Sequence, residues 1–317
     1  MKNKIVVIGG GHGQATILKG LKEIDNIELT TIVTVADDGG STGRLRDLFS
    51  MPAMGDIRNV MVALSSSTTL MADIMEYRFS EYLPTDIQGH NLGNLILTAL
   101  TQHFGDFMTA ISSLSEVLNV KGKIIPSTTE IVTLIAEMVD GTIVKGESNI
   151  PKSHNVGIKR VYYEDDVKAT PEAVLAIMEA DYILIGIGSL YTSVLPNLII
   201  DEIRNAFSKT TAKKIYLCNI MSQYGETTGY SVEDHVEALH AHLNCEIDEV
   251  LCASNNIPEN ILSRYREEKA ELVTLNETSH SYIVRNVDLL TSFDRGLIRH
   301  DSTKIRDVIL KEIKGKR

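Results

Sequence analysis

Several glycine-rich or amide-rich segments of this sequence hold residue types able to do chemistry. The first is Gly9-Gly10-Gly11-His12-Gly13. Glycines let the backbone approach a phosphate, and a helix starting there offers unpaired N–H groups to it. As a dinucleotide fingerprint it is broken: if Gly9 and Gly11 take the first two positions, Gln14 stands where the third glycine belongs. The chain has no GxxxxGK followed by Ser or Thr, which excludes a P-loop. The second segment is Asp37-Asp38-Gly39-Gly40-Ser41-Thr42-Gly43-Arg44. An acid at the end of a second strand commonly meets ribose hydroxyls. Asp37 or Asp38 could instead hold Mg²⁺ through water, while Ser41, Thr42 and backbone donors meet phosphate. Adjacent carboxylates beside a phosphate need a cation or donors to offset them.

Gly55-Asp56-Ile57-Arg58-Asn59 and Gly89-His90-Asn91-Leu92-Gly93-Asn94 each read as a polar cap entering an apolar helix, and add Asp56, Asn59, His90, Asn91 and Asn94 to the candidate site. The residue types leave His90 open as a base, a phosphate donor or a buried side chain with its hydrogen bonds made. In Gly186-Ile187-Gly188-Ser189-Leu190-Tyr191-Thr192-Ser193, residues Gly188 to Ser193 form a candidate anion nest of glycine, hydroxyls and a helix start. The last segment runs from Asn219 through Met221 and Gln223 to Thr227, and its amides suit the donor and acceptor edges of a base or sugar. Polar strand ends converging on one sheet edge describe a large nucleotide cleft.

The elements that must position these loops follow from the apolar pattern. Lys4 to Ile8 fits a strand buried on both faces, and Ala15, Ile17, Leu18, Leu21 and Ile24 share one helical face. Ile32 to Val35 reads as the second strand, giving a β-loop-α-β start with a right-handed crossover. Later, Thr170-Pro171 opens a helix to Ala180, and Tyr182 to Ile187, Ile215 to Cys218 and Val250 to Ala253 read as buried strands. Ser231 to Asp234 resembles a capping box for a helix through His242, and Lys304 to Ile313 is an amphipathic helix. The expected fold is α/β: a Rossmann-like, doubly wound, mostly parallel sheet. It is read as one domain over 1–317, with a helical insertion at about 57–119 and a β-hairpin insertion at about 122–164. Asp140-Gly141 is the hairpin signal.

The chain has 317 residues with 31 Lys+Arg against 42 Asp+Glu, a net charge of −11 that argues against a broad nucleic-acid face. No stretch approaches a membrane span, and Ile5 to Ile8 is too short for a signal-peptide core. Cys218, Cys245 and Cys252 form no CxxC pair and are expected to be thiols in a reducing cytoplasm.

The combined motifs closely resemble the gluconeogenesis factor family, related to the CofD-like 2-phospho-L-lactate transferases of deazaflavin cofactor synthesis. The resemblance rests on Ile32 to Ser41, Gly55 to Asn59, Gly186 to Ser193 and Asp294 to Asp301, and so spans almost the whole chain. His12 stands where the family usually has threonine, so an imidazole replaces a hydroxyl able to bond phosphate. Tyr224 stands where it usually has proline. The resemblance implies a Rossmann-like, often dimeric, cytoplasmic protein that binds UDP-sugars, notably UDP-N-acetylglucosamine. The resemblance further implies a factor linking carbon metabolism to cell-envelope precursor supply and cell shape during gluconeogenic growth. It also implies that Arg295 and Arg299 lie near the ligand, where a planar guanidinium suits a diphosphate. The first functional class is a regulatory binding factor whose conformation or contacts with a protein partner respond to a nucleotide-sugar. The second is a Mg²⁺-dependent transferase acting on a phosphate-linked substrate. An NAD(P)-dependent hydride-transfer enzyme ranks third, since the fingerprint is broken.

Overall fold

The computed structural model describes residues 2–82, 86–153, 156–254, 257–276, 279–291, 293 and 296–315. Its central strand, β1 (Asn3–Gly9), is buried from Ile5 onward because apolar side chains occupy both faces. It pairs in parallel with β2 (Ile27–Val33) on one side and β7 (Tyr182–Ile185) on the other. β3 (Lys123–Pro126), β8 (Lys213–Leu217), β9 (Glu249–Ala253) and β10 (Ile283–Val287) extend a seven-stranded, wholly parallel sheet of order β10-β9-β8-β7-β1-β2-β3. The strand order reverses between β1 and β7. A sheet of this kind presents its ligand crevice there, beyond the carboxyl ends of the strands.

α1 (Gly11–Leu21) follows β1 directly and packs against α3 (Gly55–Leu64) and the last helix, α12 (Ser302–Gly315). Gln14 shows why the fingerprint position tolerates an amide: its Nε2 donates to Val7 O, Ile32 O and Thr31 Oγ1, tying α1 to β1 and β2. The passage from β2 to β3 also carries α2 (Gly40–Phe49), α4 (Thr69–Glu76), α5 (Leu92–Phe104) and α6 (Phe107–Val117). A second set packs together: α7 (Pro171–Glu179), α8 (Leu195–Leu198), α9 (Asp201–Lys209) and α10 (Val232–Leu243). α10 opens with the expected Ser231–Asp234 capping box, and α11 (Glu259–Glu267) follows β9.

A separate antiparallel sheet has the order β5-β4-β6, with β4 (Leu134–Met138), β5 (Ile143–Lys145) and β6 (Ile158–Tyr163). Asp140-Gly141 makes the β4–β5 turn, with Gly141 at φ 87° and Asp140 accepting from Thr142 N. The structure differs from the sequence reading at several boundaries. The helical stretch begins at Gly40, not near 57, and its α3 packs on α1. Residues 122–164 divide, because the apolar Lys123–Pro126 run pairs with β2 and belongs to the main sheet. β2 starts at Ile27, earlier than Ile32, and the run beyond Val33 is loop. β10 is an edge strand of exposed and half-buried residues interrupted by Arg285 and Asn286, so no continuous apolar run marks it.

Candidate functional site

The loops after β1 and β7 meet at the switch point. A Cβ on Gly13 would lie 2.1 Å from Ile187 O, so only glycine allows α1 to start this close to the β7 loop. Gly13 therefore fills the close-packing role that the fingerprint gives to its third glycine. Asn197, on α8, holds the two loops together by donating to Gly9 O and Ser193 O at 2.9 Å each. In the β7 loop, Leu190, Tyr191 and Thr192 are buried. The Tyr191 hydroxyl lies 2.8 Å from that of Tyr230. Gly188 and Ser189 remain partly exposed and are braced by the β8 loop. Asn219 Nδ2 donates to Gly188 O at 2.9 Å, and Ser189 Oγ donates to Gln223 Oε1 at 2.6 Å. Both amides that the sequence offers for base reading thus knit the two loops. Met221 bridges to Leu272 on the far side of that loop.

On the other side of Gly9-Gly10-Gly11, four elements bring carboxylates together. Asp37 accepts from Gly39 N at 2.9 Å and from the Thr42 hydroxyl. Thr42 also lies 3.5 Å from Asn94 Nδ2, which brings the start of α5 to this wall. Asp38 accepts from Ser148 N at 2.8 Å, linking the loop to the 3₁₀ turn Glu147–Lys152 that follows β5. Asp56, in the first turn of α3, accepts from Gly11 N and is hydrogen-bonded by Asn59. Glu226 accepts from Thr192 Oγ1 at 3.0 Å and Gln223 Nε2 at 2.9 Å.

Burial, and secondarily the neighbouring Asp37, pushes Asp56 up to about 7. Burial and the charges of Asp37, Glu226, Asp38 and Asp56 push Glu147 up to about 8. Burial lifts Glu226 to about 7, and it raises Asp37 with a smaller push from Asp38. These acids repel one another, so a cation or proton stabilises them together. Glu147 and Glu226 were not among the sequence candidates. Glu226 lies inside the Asn219–Thr227 segment, where its amide neighbours drew the reading, and Glu147 arrives on the turn after β5 of the separate small sheet.

Whether the basin fits a metal depends on the donors. Among the described residues, no three His, Cys, Asp or Glu side chains converge closely enough to hold an ion. That rules out a closed protein cage there. The neighbouring Asp37 and Asp56 carboxylates are the donor type that suits Mg²⁺, which keeps water and is held by one or two carboxylates plus substrate phosphate.

His12 faces away from this basin. With Gly13, Thr16, Ile187, Ile298, Arg299 and His300 it lines a cavity of about 400 Å³. Arg299 is exposed at this cavity, and burial pushes His300 down to about 4. Asp301 caps α12, accepting from Thr303 N and Lys304 N. Arg295 and Asp294 lie outside the described residues. Tyr224 is covered by Lys269, whose Nζ is 4.4 Å from the ring centroid. Ser41 Oγ lies 2.9 Å from His90 Nδ1, and Asn91 caps α5 by accepting from Asn94 N. The three cysteines are free, with Cys218 and Cys252 buried.

Comparisons with known proteins bear on this arrangement. The family model described as 2-phospho-L-lactate transferase CofD matches residues 5–290. A gluconeogenesis factor of Bacillus subtilis is 44% identical over 317 residues, covering 99% of each chain. This chain belongs to the gluconeogenesis factor family. A gluconeogenesis factor of Listeria innocua is 44% identical over 319 residues, covering 99% of this chain and 97% of the relative. A crystal structure of a UPF0052 family member from Bacillus halodurans superposes with a TM-score of 0.92 at 42% identity, covering 98% of this chain and all of that one. The family expected from the motifs and its α/β fold are therefore the ones found. Among the described residues, no helix is long and apolar enough to cross a membrane.

Proposed function

We propose that this family member is a cytoplasmic factor that binds a nucleotide-sugar of the UDP-N-acetylglucosamine type. Occupancy of that site would report envelope-precursor supply during gluconeogenic growth, with consequences for cell shape. The supporting observation is the meeting of the two glycine loops at the β1/β7 switch point. The reading has the glycine-loop backbone meet the diphosphate between an acidic basin and the cavity lined by His12 and Arg299. In this reading Asp37 or Asp38 meets a ribose hydroxyl or hydrated Mg²⁺, and Arg299 meets phosphate. A homodimer and a regulatory protein partner belong to the same proposal.

A second reading, a CofD-like transferase, is favoured by one observation: Asp37, Asp56 and Glu147 gather more carboxyl groups than ribose recognition needs. Bound there, Mg²⁺ would neutralise the charge developing on a leaving diphosphate. Asp37 and Asp56 would hold it, and Glu147, raised to about 8, would retain or release a proton beside it.

A thermal-shift panel of UDP-N-acetylglucosamine, UDP, GDP and NAD(P) tests the ligand. At a hundredfold excess over Kd, the bound ligand adds about 2.7 kcal/mol of stability. UDP-N-acetylglucosamine should give the largest shift. Stabilisation by NAD(P) alone would replace this reading with a dinucleotide site. Mass spectrometry of the same mixtures with Mg²⁺ separates the classes: a new phosphate-linked product selects the transferase, and unchanged ligand selects the binding factor.

A further inference from the structure

The cavity lined by His12, Ile187, Ile298 and His300 differs in kind from the acidic basin. Its volume, about 400 Å³, lies within the range of small-molecule pockets. Ile187 and Ile298 are 9% and 8% exposed and give it apolar walls, and Gly13 adds no side chain. Phosphate oxygens set against those walls would lose water and gain no donor. A flat heterocycle suits them better. The cavity also adjoins the start of α1, so a base held in it stays within reach of a diphosphate at the glycine loops.

His300 gives this space a polar group of fixed character. Burial pushes its ring down to about 4, so the imidazole is neutral near pH 7. Its Nε2 is buried and, among the described residues, has no hydrogen-bond partner. The ring is hydrogen-bonded to the Cys218 backbone, so the bonded nitrogen is Nδ1, which donates to the Cys218 carbonyl and leaves a bare lone pair on Nε2. A buried acceptor left unpaired costs stability and calls for a donor. The backbone on both sides of His300 is pinned. Thr291 N donates to Arg299 O at 2.9 Å, Asp301 N to Leu289 O at 2.7 Å, and Ile298 N to the Tyr265 hydroxyl at 2.9 Å. None of these bonds uses the imidazole, so the ring is held in place while its acceptor stays open.

We propose that His300 Nε2 reads the base of the bound nucleotide, accepting a ring N–H that stands beside a carbonyl. Between the pyrimidines this selects uracil, whose N3 carries a hydrogen, over cytosine, whose N3 is itself an acceptor. The inference rests on the nucleotide-sugar reading and orients its ligand. The base lies against Ile187 and Ile298, the diphosphate at the glycine loops with Arg299 at the cavity mouth, and the acidic basin beyond them.

The probes are UDP, CDP and N3-methyl-UDP, titrated by calorimetry beside UDP-N-acetylglucosamine. A site built to receive a ligand N–H rejects the analogue that lacks it. Wild-type protein should therefore bind UDP at least tenfold more tightly than CDP or N3-methyl-UDP. His300→Phe keeps a flat ring without the acceptor, and should weaken UDP binding and bring the three diphosphates to within about twofold of one another. His300→Gln, whose amide oxygen can stand in for Nε2, should recover part of the preference and guards against a variant that merely misfolds. Wild-type protein without a preference for UDP would overturn the proposal. So would a preference that His300→Phe leaves intact: with UDP-N-acetylglucosamine still bound, the nucleotide-sugar reading stands and only the role of His300 falls. If wild-type protein binds neither UDP nor UDP-N-acetylglucosamine, the nucleotide-sugar reading falls and takes this inference with it.

Discussion

Asp56→Asn should stabilise the protein at alkaline pH while weakening its response to Mg²⁺ with nucleotide-sugar. The carboxyl moves from an ordinary 3.8 to about 7, through burial first and Asp37 second. Between those values the folded protein holds a proton that the unfolded chain has released, so stability falls as pH rises. Glu147, pushed from 4.5 to about 8, acts in the same direction and extends the window upward. The wild-type protein without divalent cation should therefore lose stability from about pH 4 to about pH 8 and change little above that. At 1.36 kcal/mol per tenfold change, ionising Asp56 costs at most about 4 kcal/mol. Its partial exposure to cleft water reduces this to about 2 kcal/mol. Asparagine keeps an oxygen to accept from Gly11 N and removes the charge. For a chain of this length the gain corresponds to a melting temperature about 3 °C higher near pH 8 and no gain near pH 4. Calorimetric scans across that range, with and without Mg²⁺ and UDP-N-acetylglucosamine, read both effects. A wild-type melting temperature that stays flat across the window, or a variant that melts with wild type at pH 8, would refute the reasoning.

Arg299→Ala should weaken UDP-N-acetylglucosamine binding by about 1.5–3 kcal/mol, the scale of a charged hydrogen bond, with an unchanged circular dichroism spectrum. Wild-type affinity would remove this arginine from the site. Gly13→Ala drives a methyl to 2.1 Å from Ile187 O and should cost about 3 kcal/mol in urea unfolding. Gly40→Ala, at φ 49° with open space around it, should cost only about 1 kcal/mol; the reverse order would sink the close-approach argument. Glu249, 1% exposed, joins Lys213 and Arg285, and Glu312 on α12 joins the same two cations. Glu249→Gln should destabilise by about 2 kcal/mol, less than a fully buried pair, because both cations keep Glu312. High salt should narrow the gap only slightly, and a gap that vanishes in salt would mean a merely superficial network.

The sequence by itself determined the parallel α/β framework. Strands such as Ile5 to Ile8 and Tyr182 to Ile185 are buried on both faces, and a strand in that position must be apolar throughout, a signal that needs no tertiary context. It also placed glycine, hydroxyl and amide runs after β1, β2, β7 and β8, because such runs at strand ends are local in the chain. It placed the Asp140-Gly141 turn and the Ser231 cap for the same reason. Only the tertiary structure decided how the site divides. It sends His12 and Arg299 to one cavity and gathers Asp37, Asp56, Glu147 and Glu226 on the other side of the glycine loop. It buries Tyr191 and Leu190, which their motif had offered to a ligand. It makes Gly13, rather than position 14, the glycine of close approach. It brings Arg44 and Arg78 to adjacent carbonyls across a helix and a loop. Each of these depends on contacts between residues far apart in the chain, and on burial that no single segment encodes. The charge of a carboxyl or guanidinium is written in the sequence, but its neighbours, and hence its proton affinity and its partner, are set only when the strands bring their ends together.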